Sequence, residues 1–188
     1  MNLPAAKILP GECYVSDKGE LIATVLGSCI AACIRDKKIG IGGMNHFMLP
    51  VQQGEKGIDR TDSINPALCY GNWAMEFLIN AILKQGGKKE NFEVKLFGGG
   101  KVISTMTHID VGGRNIQFVK HFIEQEGLNV AAQDLGGSLP RKVLYFPDTG
   151  AVKMRALRRV DNNTVCERER NYMDSMTQKP SSGDVELF

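Results

Sequence analysis

A mixed α/β (α+β) domain is what this sequence predicts, and three observations predict it. Between residues 21 and 49 short β-prone runs alternate with turn residues. Between residues 65 and 127 two stretches carry apolar residues at helical spacing, with a β-prone run between them, and after residue 128 β-prone runs return. The order strands, helix, strand, helix, strands suits a layered domain in which helices cover a sheet. At 188 residues, 43% hydrophobic and 23% charged, the chain has the length and composition of one globular domain.

Taken in order, "LIATVL", "IAACIR" and "IGIGGMNHFML" read as consecutive strands, separated by Gly27-Ser28 and by the charged turn "DKK". From Asn65 to Gln85, Ala67, Leu68, Tyr70, Ala74, Phe77, Leu78, Ala81 and Ile82 recur on one helical face, and Gly86-Gly87 ends the helix. "FEVKLFGGG" is a strand entering a glycine loop. "GGRNIQFVKHFIEQEG" then aligns Ile116, Val119, Phe122 and Ile123 on a second helix that stops at Gly127. "LNVAAQDLGG", "RKVLYFPDTG" and "AVKMRAL" complete the strands, with "PDTG" as a tight turn between the last two. Beyond Val160 apolar periodicity fades. Residues 1–160 are therefore expected to form the domain and 161–188 a polar tail, with a short helix around Glu167 to Met176 and a terminal "VELF" that could anchor on the domain or a partner.

Charge and cysteine usage exclude several functions. Lys plus Arg at 23 against Asp plus Glu at 21 leaves a formal charge of +2, which gives no electrostatic footprint for nucleic acid or an anionic membrane. The N-terminal "MNLPAAKILPGECYV" has no long apolar stretch with a basic flank, and no segment approaches the roughly 20 apolar residues of a membrane span. A cytoplasmic protein is expected. Cys13, Cys29, Cys33, Cys69 and Cys166 are odd in number and scattered, without a CxxC pair, so free thiols in a reducing compartment are the simplest account.

Two of these residues stand out chemically. Cys29 follows Gly27-Ser28, a pair suited to a tight turn that presents the next side chain and leaves backbone N–H groups to hold an oxyanion. A cysteine is most often a small buried hydrophobe, and it becomes a nucleophile only beside a base. Of the three histidines, His121 falls on the polar face of a helix and His108 in a polar connection. His46 instead ends a strand-like run that a return through "DKK" could bring beside the strand before Cys29. Cys29 and His46 thus form a candidate nucleophile and base, with Thr24 and Ser28 as hydroxyl candidates for orienting the imidazole. "FGGGK" lacks the spacing and the following Ser or Thr of a phosphate loop and reads as a backbone turn. Cys29 and Cys33 lie on a strand, where a spacing of four makes no metal pair.

"TVLGSCIAACIRD", "GIGGMNHFMLP", "KLFGGG", "VGGRN", "DLGG", and "RKV" with "DTG", in that order, resemble the CheD family of bacterial chemoreceptor glutamine deamidases. The resemblance covers roughly residues 10 to 157. It implies a three-layer α/β/α sandwich-type domain, similar to the catalytic domain of deamidating bacterial toxins, and a cysteine, histidine and threonine triad. Cysteine and histidine carry over as Cys29 and His46. The threonine role falls to Thr24, the nearest hydroxyl, with Ala23 at the alternative position six residues before the cysteine. The implied reaction converts receptor glutamines to glutamates in chemotaxis adaptation, without metal or organic cofactor, with Gly27 and Ser28 giving backbone support to the oxyanion. Implied partners are the cytoplasmic helices of methyl-accepting receptors and a CheC-like phosphatase. Hydrolysis of glutamyl methyl esters and a mainly binding role are the rival readings.

Overall fold

The structure, a computed structural model, describes residues 4–16, 18–50, 66–102, 110–157 and 162–178. In chain order these form β1 (Ala5–Lys7), β2 (Cys13–Ser16), β3 (Leu21–Leu26), β4 (Ile30–Asp36), β5 (Gly42–Asn45), α1 (Pro66–Lys84), β6 (Phe92–Gly98), α2 (Val111–Gln125), β7 (Val130–Leu135), β8 (Arg141–Tyr145), β9 (Val152–Ala156) and α3 (Asn162–Gln178). The strands make two sheets, one ordered β1-β3-β8-β9 and one ordered β2-β5-β4-β6-β7.

β4 lies at the centre of the larger sheet, antiparallel to both β5 and β6, and its continuous apolar run is that of a strand buried on both faces. The two-residue period divides those side chains between two cores. Ile30, Ala32 and Ile34 face the helical layer, where they meet Leu78 and Ile82 of α1 and Phe118 and Val119 of α2. Ala31 and Cys33 point the other way, into a second core with Ile22 and Leu26 of β3 and Val143 and Tyr145 of β8. Each fully buried side chain of this size contributes about 1.5 to 3 kcal/mol, so both faces of β4 are held firmly.

The mixed α/β class therefore holds, and the domain has three layers. Its outer layer opposite α1 and α2 is the four-stranded sheet, so the layer order is helix, sheet, sheet. The physical reason lies in β8 and β9, which are joined by the predicted "PDTG" turn. The amide of Gly150 donates to the carbonyl of Phe146 at 2.7 Å, closing a hairpin whose inner face completes the second core.

Several elements differ from their sequence signals. The run from Ile39 to Leu49 is a strand only over Gly42–Asn45, which leaves His46 just beyond its end. β1 and β2 carry no strong sequence signal, yet β1 pairs parallel with β3 and β2 antiparallel with β5. The polar C-terminal segment forms a helix of 17 residues, longer than the short one expected, and it packs against the domain. "VELF" and His108 lie outside the described residues. No helix among those described is long and apolar enough to cross a membrane.

Candidate active site

The turn Gly27-Ser28-Cys29 carries the chain from β3 in one sheet to β4 in the other, so Cys29 sits where the two sheets meet. Glycines fix its shape from behind. The amide of Gly99 donates to the carbonyl of Cys29 at 2.8 Å and that of Gly100 to the carbonyl of Gly27 at 2.7 Å. Gly98, at φ 111°, could not carry a side chain, because a Cβ there would stand 2.0 Å from the Cys29 carbonyl oxygen. The "FGGGK" segment is thus a backbone turn, as its spacing indicates, and its function is to brace the cysteine turn. Asn115, fully buried on α2, adds a clamp: its Nδ2 donates to the Ser28 carbonyl at 2.8 Å, and its Oδ1 accepts from the Leu49 amide at 3.0 Å. With these carbonyls engaged, the amides of Gly27, Ser28 and Cys29 converge on one point on the other side of the turn.

His46 is positioned by the N-terminal segment. Its amide donates to the Glu12 carbonyl at 2.9 Å, and its own carbonyl accepts from Gly11 at 2.7 Å. Its ring Nδ1 lies 2.8 Å from Thr24 Oγ1, and that hydroxyl donates its single proton to the Ile8 carbonyl at 2.9 Å. A carbonyl can only accept, so Thr24 has a lone pair, not a proton, to offer the imidazole. Nδ1 must therefore carry the ring proton, and Nε2 is left with its lone pair. Nε2 is buried and has no hydrogen-bond partner among the described residues. The ligating atoms of Cys29, His46 and Glu169 all lie within 4.8 Å of one another, and of the two ring nitrogens it is Nε2 that keeps a free lone pair.

The structure thus brings Thr24, Gly27, Ser28, Cys29 and His46 together. Thr24 points inward because residues of β3 alternate, burying Ile22, Thr24 and Leu26 and leaving Ala23 on the opposite face. Glu169 of α3 completes the site and has no local sequence signal, since it reaches the turn across 140 residues of chain. Its Oε1 accepts from the amides of Gly27 at 2.8 Å and Cys29 at 3.2 Å, and its Oε2 from the Ser28 amide at 2.8 Å and the Ser28 hydroxyl at 2.6 Å. Cysteine, histidine and carboxylate are metal-ligating types. Here both carboxylate oxygens of Glu169 are committed to four protein donors, the three turn amides and the Ser28 hydroxyl. Burial, then the nearby Glu169 carboxylate, pushes the Cys29 thiol well above its ordinary range. Burial, then Arg168, brings His46 down to about 3. Both side chains are neutral in this arrangement.

Known proteins resemble this chain over most of its length. A family model described as CheD chemotactic sensory transduction matches residues 48–156. The probable chemoreceptor glutamine deamidase CheD of Saccharophagus degradans is 54% identical over 98% of this chain and 84% of its own length. The chain belongs to the CheD family. Proteins of the same name from Halorhodospira halophila and Janthinobacterium sp. are each 51% identical over 98% of this chain, covering 84% and 89% of their own lengths. Among solved structures, the Neisseria meningitidis protein NMB0706, matched by the family model DUF152, is 11% identical over 81% of this chain and 73% of its own, with a TM-score of 0.46. This CheD family member has Cys13, Cys29, Cys33 and Cys166 as free thiols.

Proposed function

We infer that the protein is a chemoreceptor glutamine deamidase, with Cys29 as nucleophile, His46 as base and Thr24 as the residue that positions the base. One observation carries this reading: the Ile8 carbonyl takes the Thr24 proton, Thr24 takes the Nδ1 proton of His46, and Nε2 is left as a bare lone pair beside a cysteine on a turn with three convergent amides. The names of the CheD relatives supply the substrate class, a glutamine side chain on a chemoreceptor.

In the reaction, Nε2 of His46 accepts the Cys29 proton and the sulfur attacks the carboxamide carbon of the substrate glutamine. The carbonyl oxygen becomes an oxyanion held by the amides of Gly27, Ser28 and Cys29. The C–N bond breaks as the imidazolium gives its proton to the departing ammonia. Water, deprotonated by the same Nε2, then hydrolyses the thioester to glutamate and restores the thiol. Each turnover adds water, releases ammonia and places a negative charge on the receptor. A cytoplasmic site of action fits the cysteine usage, and a CheC-like phosphatase is the partner we would test for binding.

Mass spectrometry of a chemoreceptor cytoplasmic fragment incubated with wild type, Cys29→Ala and His46→Ala tests the reading. Wild type should convert glutamine to glutamate, Cys29→Ala should not, and His46→Ala should lose about 10² to 10⁴ in rate. Conversion by Cys29→Ala at the wild-type rate would overturn the assignment. Preferential hydrolysis of a methylated fragment would favour the esterase reading.

A further inference from the structure

We propose that α3 is a built-in product mimic: Glu169 occupies the place of the glutamyl product's carboxylate, and α3 must lift off before a receptor side chain can reach Cys29. The proposal rests on the deamidase reading for the identity of the product, whereas closure of the site rests on geometry alone. Cys29 has no solvent exposure and Glu169 is 1% exposed. The four donors on the Glu169 carboxylate include all three amides that the reaction would use to hold an oxyanion. A glutamyl carboxylate in that position is what the last step of deamidation would leave behind, here supplied by the enzyme's own chain.

The rest of the helix suits a reversible cover. Val165, Glu169, Tyr172, Met173 and Met176 fall on one face at helical spacing. Only Val165 and Glu169 of these are fully buried, and Tyr172, Met173 and Met176 pack partly against the second core. The Cys166 thiol donates to the Val102 carbonyl at 3.3 Å, and the Tyr172 hydroxyl meets that of Tyr70 on α1. The helix therefore spans the mouth of the site, from the glycine loop after β6 to α1, on a narrow apolar stripe. The carboxylate grip is also selective. A glutamine at 169 would turn its NH₂ toward amide donors, which repel it, although its shape is that of glutamate.

The test uses the full chain as wild type, Glu169→Gln, Val165→Lys, and Glu167→Gln as an exposed control on the same helix. Two rates are read: alkylation of Cys29 by iodoacetamide, followed by peptide mass spectrometry, and glutamine conversion on a receptor fragment, with residue 169 checked in the same spectra. Glu169→Gln and Val165→Lys should each raise both rates at least about tenfold, and Glu167→Gln should change neither. Val165→Lys keeps the carboxylate and acts only on docking, so it separates release of the helix from loss of the charge. Folded variants that alkylate Cys29 as slowly as wild type would overturn the proposal, as would loss of cooperative unfolding in both, which would make α3 a structural brace. Faster alkylation with no conversion by any variant would overturn the deamidase reading and leave closure by α3 standing.

Discussion

At the scale of single residues, a hydroxyl proton determines which nitrogen of His46 keeps a free lone pair. Because Thr24 spends its proton on the Ile8 carbonyl, it faces the imidazole as an acceptor and fixes the Nδ1–H tautomer. Thr24→Ser keeps that hydroxyl and should retain most of the activity. Thr24→Val, nearly the same shape, should lower kcat on the order of tenfold or more, a fraction of the 10² to 10⁴ that a general base supplies. Steady-state kinetics on the receptor fragment would check this, and equal rates for the two variants would remove Thr24 from the mechanism. Cys29 and His46 were legible in the sequence because Gly-Ser-Cys and Asn-His carry local chemical signals. The orientation of Thr24 was legible only as a strand period, and its partner Ile8 not at all, because a carbonyl acceptor has no residue signature.

At the scale of elements, the cysteine turn depends on segments remote in sequence. The glycines after β6 brace it from one side, and Asn115 of α2 clamps the Ser28 carbonyl from another. Gly98→Ala would force a Cβ into the Cys29 carbonyl at a backbone angle that L-residues avoid. It should destabilise the fold by about 3 kcal/mol or more and lower activity with it. Asn115→Ala, which strands one buried carbonyl and one buried amide, should cost about 2 to 3 kcal/mol. Urea denaturation reads both, and an unchanged midpoint for Gly98→Ala would contradict the bracing role. Helices α1 and α2 and strands β3, β4 and β6 were readable because apolar spacing reports burial directly. β1 and β2 were not, since edge strands of three and four residues take their pairing from neighbours more than from their own composition.

At the scale of the whole molecule, burying the site ties stability to pH. The folded state holds His46 at about 3, below its ordinary 6.5. Between those values the unfolded chain binds a proton that the folded chain refuses, so stability falls as pH drops below about 6.5. The slope from this one group cannot exceed about 1.4 kcal/mol per pH unit. Cys29 has the opposite sense: its folded thiol stays protonated above its ordinary 9.0, so stability falls again as pH rises past that value. Unfolding midpoints from pH 4 to 10 should trace both limbs, and His46→Gln should flatten the acid limb relative to wild type. An acid limb unchanged by that substitution would show that other groups set it. The division into two sheets was beyond the sequence, because alternation marks which residues of a strand are buried and not which sheet buries them. The role of Glu169 was equally out of reach, since a polar helix in a polar segment gives no hint of what it covers.

The Ile8 carbonyl has a practical corollary at the bench. It follows β1, a three-residue edge strand paired in parallel with β3, and it accepts the hydroxyl proton of Thr24 that fixes the His46 tautomer. A purification tag or surface tether pulling on the first residues would tug at that strand and, through it, at the protonation of an imidazole 38 residues further along the chain. Preparations differing only in their N-terminal handle should therefore differ in specific activity. Removing the handle before kinetics, and repeating the assay with and without it, belongs among the controls for every rate measured on this enzyme.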